Sequence, residues 1–346
     1  MNIVFLYSEV IGYTQSIIRY LPELNPDVKC HVVYWDQKRI SAYKLESDDK
    51  VYYHPRSEFN SKGIEKFLFT LKPVIIYVSG WMDRGYLRAI YSYKNQERVK
   101  VVAGIDDQWT GSLRQYVGAL TSNILFKRVF DYFWIAGKPQ YYFSSMFGFN
   151  KDRIISNLFS ADTNRYYKKA IFSKRLVYLG RFSPEKGSLN LVRNYNNLPD
   201  EIRLNWPLVL IGDGPEREEI ERIKCDSISV LPFLQGNALL AELMKGGIGC
   251  SPSVREQWGL TIHEFALIGY PLLLSKVCGA ATEFLIEGYN GFMFDPNDDN
   301  SFYKALDNII KLDDGDFVKF GDRSQKLGSR INLELVAASL LSVLYK

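Results

Sequence analysis

The sequence predicts an α/β protein made of two doubly wound domains, and three observations point there. Short β-branched and apolar runs alternate with segments of helical period along all 346 residues. Several runs are apolar at consecutive positions, the pattern of parallel strands covered on both faces. The length corresponds to about two domains at roughly 150 residues each, and composition shifts near residue 150. Residues 1–150 hold 29 of the 50 aromatic side chains and a net charge of +5, whereas the remainder carries −1.

In the first half the expected strands are 3–6, 31–34, 74–78, 99–103 and 133–136. In the second they are 176–179, 208–211, 229–231, 248–251 and 272–275. Helices are expected at 215–223, which has Pro and acids in its first turn, at 300–310 and at 332–345. The polar stretch 157–174 joins the two series. The expected division is 1–160, 175–328 and a terminal helical segment, 329–346.

Hydrophobic residues at 47% and charged residues at 24% exclude disorder and a collagenous or polytopic membrane chain. A net charge of +4 is too small to indicate nucleic-acid binding. Four separated cysteines, Cys30, Cys225, Cys250 and Cys278, read as free thiols in a reducing compartment. The first residues enter an apolar strand with no basic leader, and no apolar run reaches the ~18–20 residues that cross a bilayer. The expectation is a cytoplasmic protein, with membrane contact at the inner face open because segment 126–149 packs ten aromatics among basic residues.

In open parallel sheets, ligands bind beyond the carboxyl ends of the strands. Four loops at such ends in the second half carry chemistry. The first, Gly180-Arg181-Phe182-Ser183-Pro184-Glu185-Lys186-Gly187, sets Arg181 and Lys186 beside a helix start, which suits a diphosphate. The second, Gly212-Asp213-Gly214-Pro215, allows a tight turn with close backbone approach. The third runs from Pro252 through Glu256-Gln257-Trp258-Gly259-Leu260 to Glu264. There two carboxylates flank the amides at a helix start, so that amides hold phosphate while the acids accept from sugar hydroxyls. The fourth joins Gly279-Ala280-Ala281-Thr282-Glu283 to Asn290-Gly291-Phe292-Met293-Phe294-Asp295-Pro296. Taken singly, the first loop reads equally as a pair of solvated cations, the second better as turn chemistry, and the acid spacing of the third better as a helix-entry acid and a solvated helix-face acid. Together they form a set.

In that order the motifs resemble the retaining glycosyltransferases of family 4, strongly over residues 176–295 and loosely before them. The resemblance implies the GT-B fold, two Rossmann-like domains facing across a cleft. It implies a donor domain in the second half and an acceptor domain in the first, with the terminal helix crossing back to it. Arg181 and Lys186 would then bind the donor diphosphate, Glu264 the ribose diol and Glu256 the transferred sugar. Gly212 and the loop ending at Phe233 would lie near the base, and Trp258, Gly259 and Leu260 along the donor. On the acceptor side Gly12 stands where the family often has a Gly-Gly pair. The loop after strand 99–103 offers Asp106 and Asp107 where many members place a His; one of the two takes that role, and a capped helix start with two solvated acids is the competing reading.

The implied activity is that of a retaining, metal-independent hexosyltransferase. It would move a sugar from a UDP- or GDP-sugar to a hydroxyl of a saccharide or lipid-linked saccharide, in surface polysaccharide or glycoconjugate biosynthesis. No cofactor is implied, since the nucleotide-sugar is a substrate. Asp314-Gly315-Asp316 matches a metal-binding D-x-D but follows a helix, and it reads as a surface turn. His31 and His54 read as strand-end or loop residues, and His263 as a packed or solvated helix residue. The alternatives are an NAD(P)-dependent oxidoreductase or a nucleotide-sugar epimerase on a similar scaffold, or an inactive carbohydrate-binding relative. Against the first, segment 7–13 lacks the G-x-G-x-x-G fingerprint.

Overall fold

A computed structural model describes residues 1–37 and 45–346 and separates the chain into two compact units. The first comprises Met1–Ser160 and Ile331–Lys346, the second Ala161–Arg330. Thus of the polar stretch 157–174, expected as a joint, residues 161–174 are part of the second unit: the Ala170 amide donates to the Ile268 carbonyl at 2.8 Å, and Lys169 pairs with Asp322.

In the first unit, strands β1 (Asn2–Tyr7), β2 (Lys29–Tyr34), β3 (Val51–Pro55), β4 (Ile75–Val78), β5 (Lys100–Ile105), β6 (Tyr132–Ile135) and β7 (Ile154–Ile155) form a parallel sheet. Its order is β3-β2-β1-β4-β5-β6-β7. The intervening helices are α1 (Gly12–Leu24), α2 (Ser61–Leu71), α3 (Arg84–Lys94), α4 (Leu113–Val129) and α5 (Lys138–Met146). Short polar side chains start three of them: Asn60 caps α2, Asp83 caps α3 and Ser112 caps α4 by accepting first-turn amides. Val4, Leu6, Ile76, Val101 and Phe133 are fully buried between sheet and helices. Strand β3 was absent from the expected set. Its sequence, VYYHP, is only half-buried and ends in Pro, so it reads as loop, yet it forms an edge strand where Pro is tolerated. His31 and His54 lie on β2 and β3, with stacked rings 5.7 Å apart.

The second unit repeats the plan. Strands β8 (Leu176–Leu179), β9 (Leu208–Ile211), β10 (Ile228–Leu231), β11 (Ile248–Ser251), β12 (Leu272–Ser275) and β13 (Gly291–Phe294) pair in the order β10-β9-β8-β11-β12-β13, all parallel. Its helices are α6 (Ser188–Asn196), α7 (Asp200–Asn205), α8 (Arg217–Ile223), α9 (Gly236–Leu243), α10 (Leu260–Leu267), α11 (Ala281–Phe284), α12 (Asp299–Ile310) and α13 (Asp314–Gly328). Strand β13 opens at Gly291 directly after a turn at 288–290, and a Cβ on Gly291 would stand 2.1 Å from the Leu272 carbonyl oxygen of the neighbouring strand. Asp314 and Asp316 occupy the first turn of α13 and not a surface turn. Asp313 caps that helix, and Asp316 pairs with Lys319 at 2.8 Å.

At the end of the sheet away from the β8 and β11 exit loops, Arg175 is buried with Glu242. Its Nη1 donates to Glu242 Oε1 at 2.6 Å, its Nη2 to the Glu242 carbonyl at 2.7 Å and its Nε to the Gly246 carbonyl at 2.6 Å. Burial pulls the Glu242 carboxyl up, but hydrogen bonds from Lys245 and Arg175 outweigh it and hold the group below its usual range.

Helix α14 (Leu333–Leu341), capped by Asn332, belongs to the first unit and packs on α1. Among the described residues one helical stretch, Asp314–Tyr345, is long and apolar enough to cross a membrane. It is interrupted at 329–332, and half of its apolar window is buried.

Candidate active site

Strands β8 and β11 are neighbours in space but not in sequence, which makes them the switch point of the second sheet, where the exiting loops diverge and leave a crevice. Both charged motifs lie there. Gly187 adopts φ 68°, and a Cβ on it would stand 2.3 Å from the Pro252 carbonyl oxygen, so the β8 loop and β11 loop touch where only glycine fits. The amides of Val254 and Arg255 donate to the Glu185 carbonyl at 3.0 and 3.1 Å, tying the loops again. Across this seam Lys186 Nζ donates to Glu256 Oε2. Lys186 remains partly exposed, while Glu256 is nearly buried. Arg181 is exposed at the mouth and makes no ion pair among the described residues. Hydrogen bonds from its own backbone and Ser183, and then the charges of Arg181 and Lys186, hold the carboxyl of the exposed Glu185 between them below its usual range.

Helix α10 starts beside Glu256. Its N-cap, Gly259, has φ 98° and no side chain with which to satisfy the first-turn amides from Leu260 onward. A Cβ at Gly259 would approach Glu256 Cγ to 3.2 Å. These amides and the helix dipole make an anion site next to a carboxylate that can accept from hydroxyls. Trp258 is buried against Phe284, its carbonyl accepts the Ala280 amide at 2.8 Å, and its Nε1 has no partner among the described residues. The fourth loop is thereby fastened to the third.

Glu264 sits one turn into α10 and keeps part of its surface open. Loss of hydration among the surrounding protein atoms pushes its carboxyl up to about 7, against the hydroxyl of Tyr166 and the charge of Arg165, which pull it down. Neither Tyr166 nor Arg165 had any signal in the sequence, since both lie in the polar stretch read as a joint. His263 is fully buried. Its Nδ1 accepts the Ala161 amide at 3.0 Å, Nε2 meets the Gly328 carbonyl at 2.9 Å, and the ring stacks on Phe284. It is a packing residue.

Gly212 fits against the first loop, because a Cβ there would lie 1.9 Å from the Gly180 carbonyl oxygen. Its amide donates to the Leu231 carbonyl at 3.3 Å. Phe233 follows the edge strand β10 and is exposed, two strands from β8. The structure thus brings Arg181, Lys186, Glu256, Trp258, Gly259 and Leu260 to one crevice, with Gly212 at its side and Glu264 a turn deeper.

Gly12, Asp106 and Asp107 belong to the first unit. Gly12 opens α1, and the two aspartates follow β5 at the carboxyl edge of the sheet. At that edge Tyr7, Tyr13 and Tyr77 gather. Tyr7 and Tyr77 have ring centroids 5.1 Å apart, and a Cβ on Gly104 would strike the Tyr77 hydroxyl. Burial raises all three phenols, and the charge of Asp106 adds to this at Tyr13 and Tyr77. Poor hydration, then the like charge of Asp107, lift the Asp106 carboxyl above its usual range. The charge of Asp106 is thus felt at Tyr13 and Tyr77, and both aspartates are exposed.

Residues 167–327 match the family model described as glycosyl transferases group 1. The chain is similar to sulfoquinovosyl transferase SQD2 of Arabidopsis thaliana, 30% identical over 127 residues, which are 36% of this chain and 24% of that protein. It is also similar to the D-inositol 3-phosphate glycosyltransferase of Xylanimonas cellulosilytica, 26% identical over 180 residues, 49% of this chain and 42% of that one. The chain thus covers less than half the length of either relative. Among solved structures, Anabaena Alr3699/HepE in complex with UDP and glucose superposes with a TM-score of 0.72 at 18% identity, covering 100% of this chain and 99% of that one. The chain has the GT-B fold, and the group 1 glycosyltransferase pattern lies in its second unit.

Proposed function

We propose that the protein is a retaining, metal-independent glycosyltransferase. It moves a hexose from a UDP- or GDP-sugar to a hydroxyl of a saccharide or lipid-linked saccharide in surface polysaccharide or glycoconjugate synthesis. The second unit holds the donor; the first receives the acceptor and rests on the cytoplasmic face of a membrane. The observation that carries the reading is the Lys186–Glu256 pair at the switch point, beside the uncapped start of α10. The likeness to relatives whose names record glycosyl transfer supports it.

The leaving group is a nucleoside diphosphate, whose charge grows as the glycosidic bond breaks. Arg181, Lys186 and the α10 dipole present fixed positive charge to it and make a metal unnecessary. Glu256 accepts from hydroxyls of the transferred sugar and is held in place by Lys186. Glu264 accepts from the ribose diol. No side chain in the crevice is an evident covalent nucleophile, which suits attack by the acceptor on the face the donor leaves, its proton passing to the departing phosphate. Asp106 orients the acceptor at the edge of the first sheet. Incubation with UDP-, GDP- and ADP-sugars and a saccharide acceptor tests this: release of nucleoside diphosphate with the donor's anomeric configuration kept in the product is expected. Inversion, or turnover only with nicotinamide cofactors, would overturn it.

Glu264 adds a pH signature. Ribose hydroxyls bind the ionised carboxylate, so donor affinity should fall about tenfold per pH unit below about 7. The same shift has the opposite effect on the empty protein. A folded value above the ordinary 4.5 means that the group favours folding below 4.5, and that this contribution is lost as pH rises through 7. Glu264→Gln is therefore expected to raise the Tm of the empty protein at pH 8 while weakening donor binding and flattening its pH profile. Calorimetric titrations at pH 6 and pH 8, with melting curves of both proteins, check this. A steep profile retained in Glu264→Gln would assign the proton elsewhere.

A further inference from the structure

Helix α4 is apolar on both faces. Ala119 and Phe126 turn to the core, yet Leu113, Val117, Leu120 and Leu125 are 79, 53, 83 and 60% exposed. At helical spacing Leu113, Tyr116, Val117 and Leu120 form one outward stripe over two turns. Trp109 carries the surface across to α5: its ring meets Tyr116 at 5.0 Å and Tyr142 at 6.4 Å, both edge-on, and both tyrosines are more than half exposed.

The charged side chains of α4 itself, Arg114, Lys127 and Arg128, are all basic, while the exposed Asp106 and Asp107 precede Trp109. Residues 108–151 contain a single acid, Asp131, and five cations, Arg114, Lys127, Arg128, Lys138 and Lys151. Asp131 is already paired with Lys94 at 2.7 Å and accepts the Val101 amide. Arg114, Lys127, Arg128 and Lys138 are exposed. An apolar ridge edged by tyrosines and cations matches an anionic bilayer, where the ridge enters the headgroup boundary, the rings lie at its level and the cations meet phosphates.

We propose that the outer face of α4, extended by Trp109 and Tyr142, seats the first unit on an anionic lipid surface. The proposal rests on the membrane-side reading of the first unit and names the surface that makes the contact. The same α4 loop carries Asp106 at its start, so a bilayer under α4 would lie next to the acceptor side of this unit.

Co-sedimentation of the full chain with phosphatidylglycerol vesicles at low salt tests it, against phosphatidylcholine vesicles and against Leu120→Glu and the pair Lys127→Glu/Arg128→Glu. The exposed positions leave folding intact, which melting curves and turnover of a water-soluble acceptor verify. The expected result is at least about tenfold weaker binding for each variant and for phosphatidylcholine. Wild-type binding that the variants leave unchanged would overturn α4 as the seat while keeping a membrane role. A wild type that stays in the supernatant would overturn both, with soluble-acceptor turnover still reporting on the enzyme. A concentration-dependent dimer lost in Leu120→Glu would show instead that a second copy covers the face.

Discussion

Lys186→Ala is expected to lower kcat/KM by about 10³-fold with the chain still folded, since losing one fixed donor to a developing anion typically costs about 10²–10³ in turnover. Two roles are lost together. The ammonium no longer faces the diphosphate, and Glu256 loses the partner that holds its carboxylate across the loop seam. Glu256→Gln removes the acceptor for the sugar hydroxyls and frees Lys186, and a loss of similar size is expected. Because the two act as one unit, the double variant should be little worse than the worse single one. Nucleoside diphosphate release under kcat/KM conditions measures all three. Full additivity, or a single variant within about tenfold of wild type, would separate the pair from the chemistry.

The second large effect falls on stability. Arg175→Ala is expected to lower the unfolding free energy by about 3–5 kcal/mol, the usual cost of breaking a buried ion pair and leaving one charge behind. Among the described residues Glu242 would keep only Lys245, which reaches it from an exposed position, and the Gly246 carbonyl would lose its Arg175 donor. The depressed Glu242 carboxyl sets the pH sign: its contribution is present above the ordinary carboxylate range and fades as pH falls through its folded value. Arg175 stands at the opposite end of β8 from Arg181, so variant protein that remains folded should bind donor normally. Urea melts of wild type and variant give the difference, and a loss below about 1 kcal/mol would place the network at the surface in energetic terms.

The parallel strands of the second unit were readable to the residue at Leu176–Leu179, Leu208–Ile211, Ile248–Ser251 and Leu272–Ser275. Each is a short, almost wholly buried run, and Leu176–Leu179 and Leu208–Ile211 are apolar at every position. The misses have local causes. Strand β3 carries half-buried tyrosines and ends in Pro, and β13 begins at a glycine directly after the turn at 288–290, so a turn signal stands where the strand starts. The crevice residues were legible because strand-exit loops can be located once strands are. What a linear pattern does not contain is contact between distant segments. The Tyr166 hydroxyl on Glu264 joins the expected linker to α10, and the charge of Asp106 reaches Tyr13 and Tyr77 from a distant segment. The exposed face of α4 was hidden for a different reason. Apolar and basic residues are mixed along α4, and only the exposure of Leu113 and Leu120 shows which apolar positions face outward.

The central claim is that the crevice at β8 and β11 holds the diphosphate of a nucleotide-sugar. Calorimetric titration at pH 8 with UDP-, GDP- and ADP-sugars and with NADH, on wild type and on Lys186→Ala, tests it most directly. Saturable 1:1 binding of one nucleotide-sugar to wild type, weakened at least about tenfold in Lys186→Ala, is the predicted result. Equal affinity in both proteins, or binding of NADH alone, would contradict it.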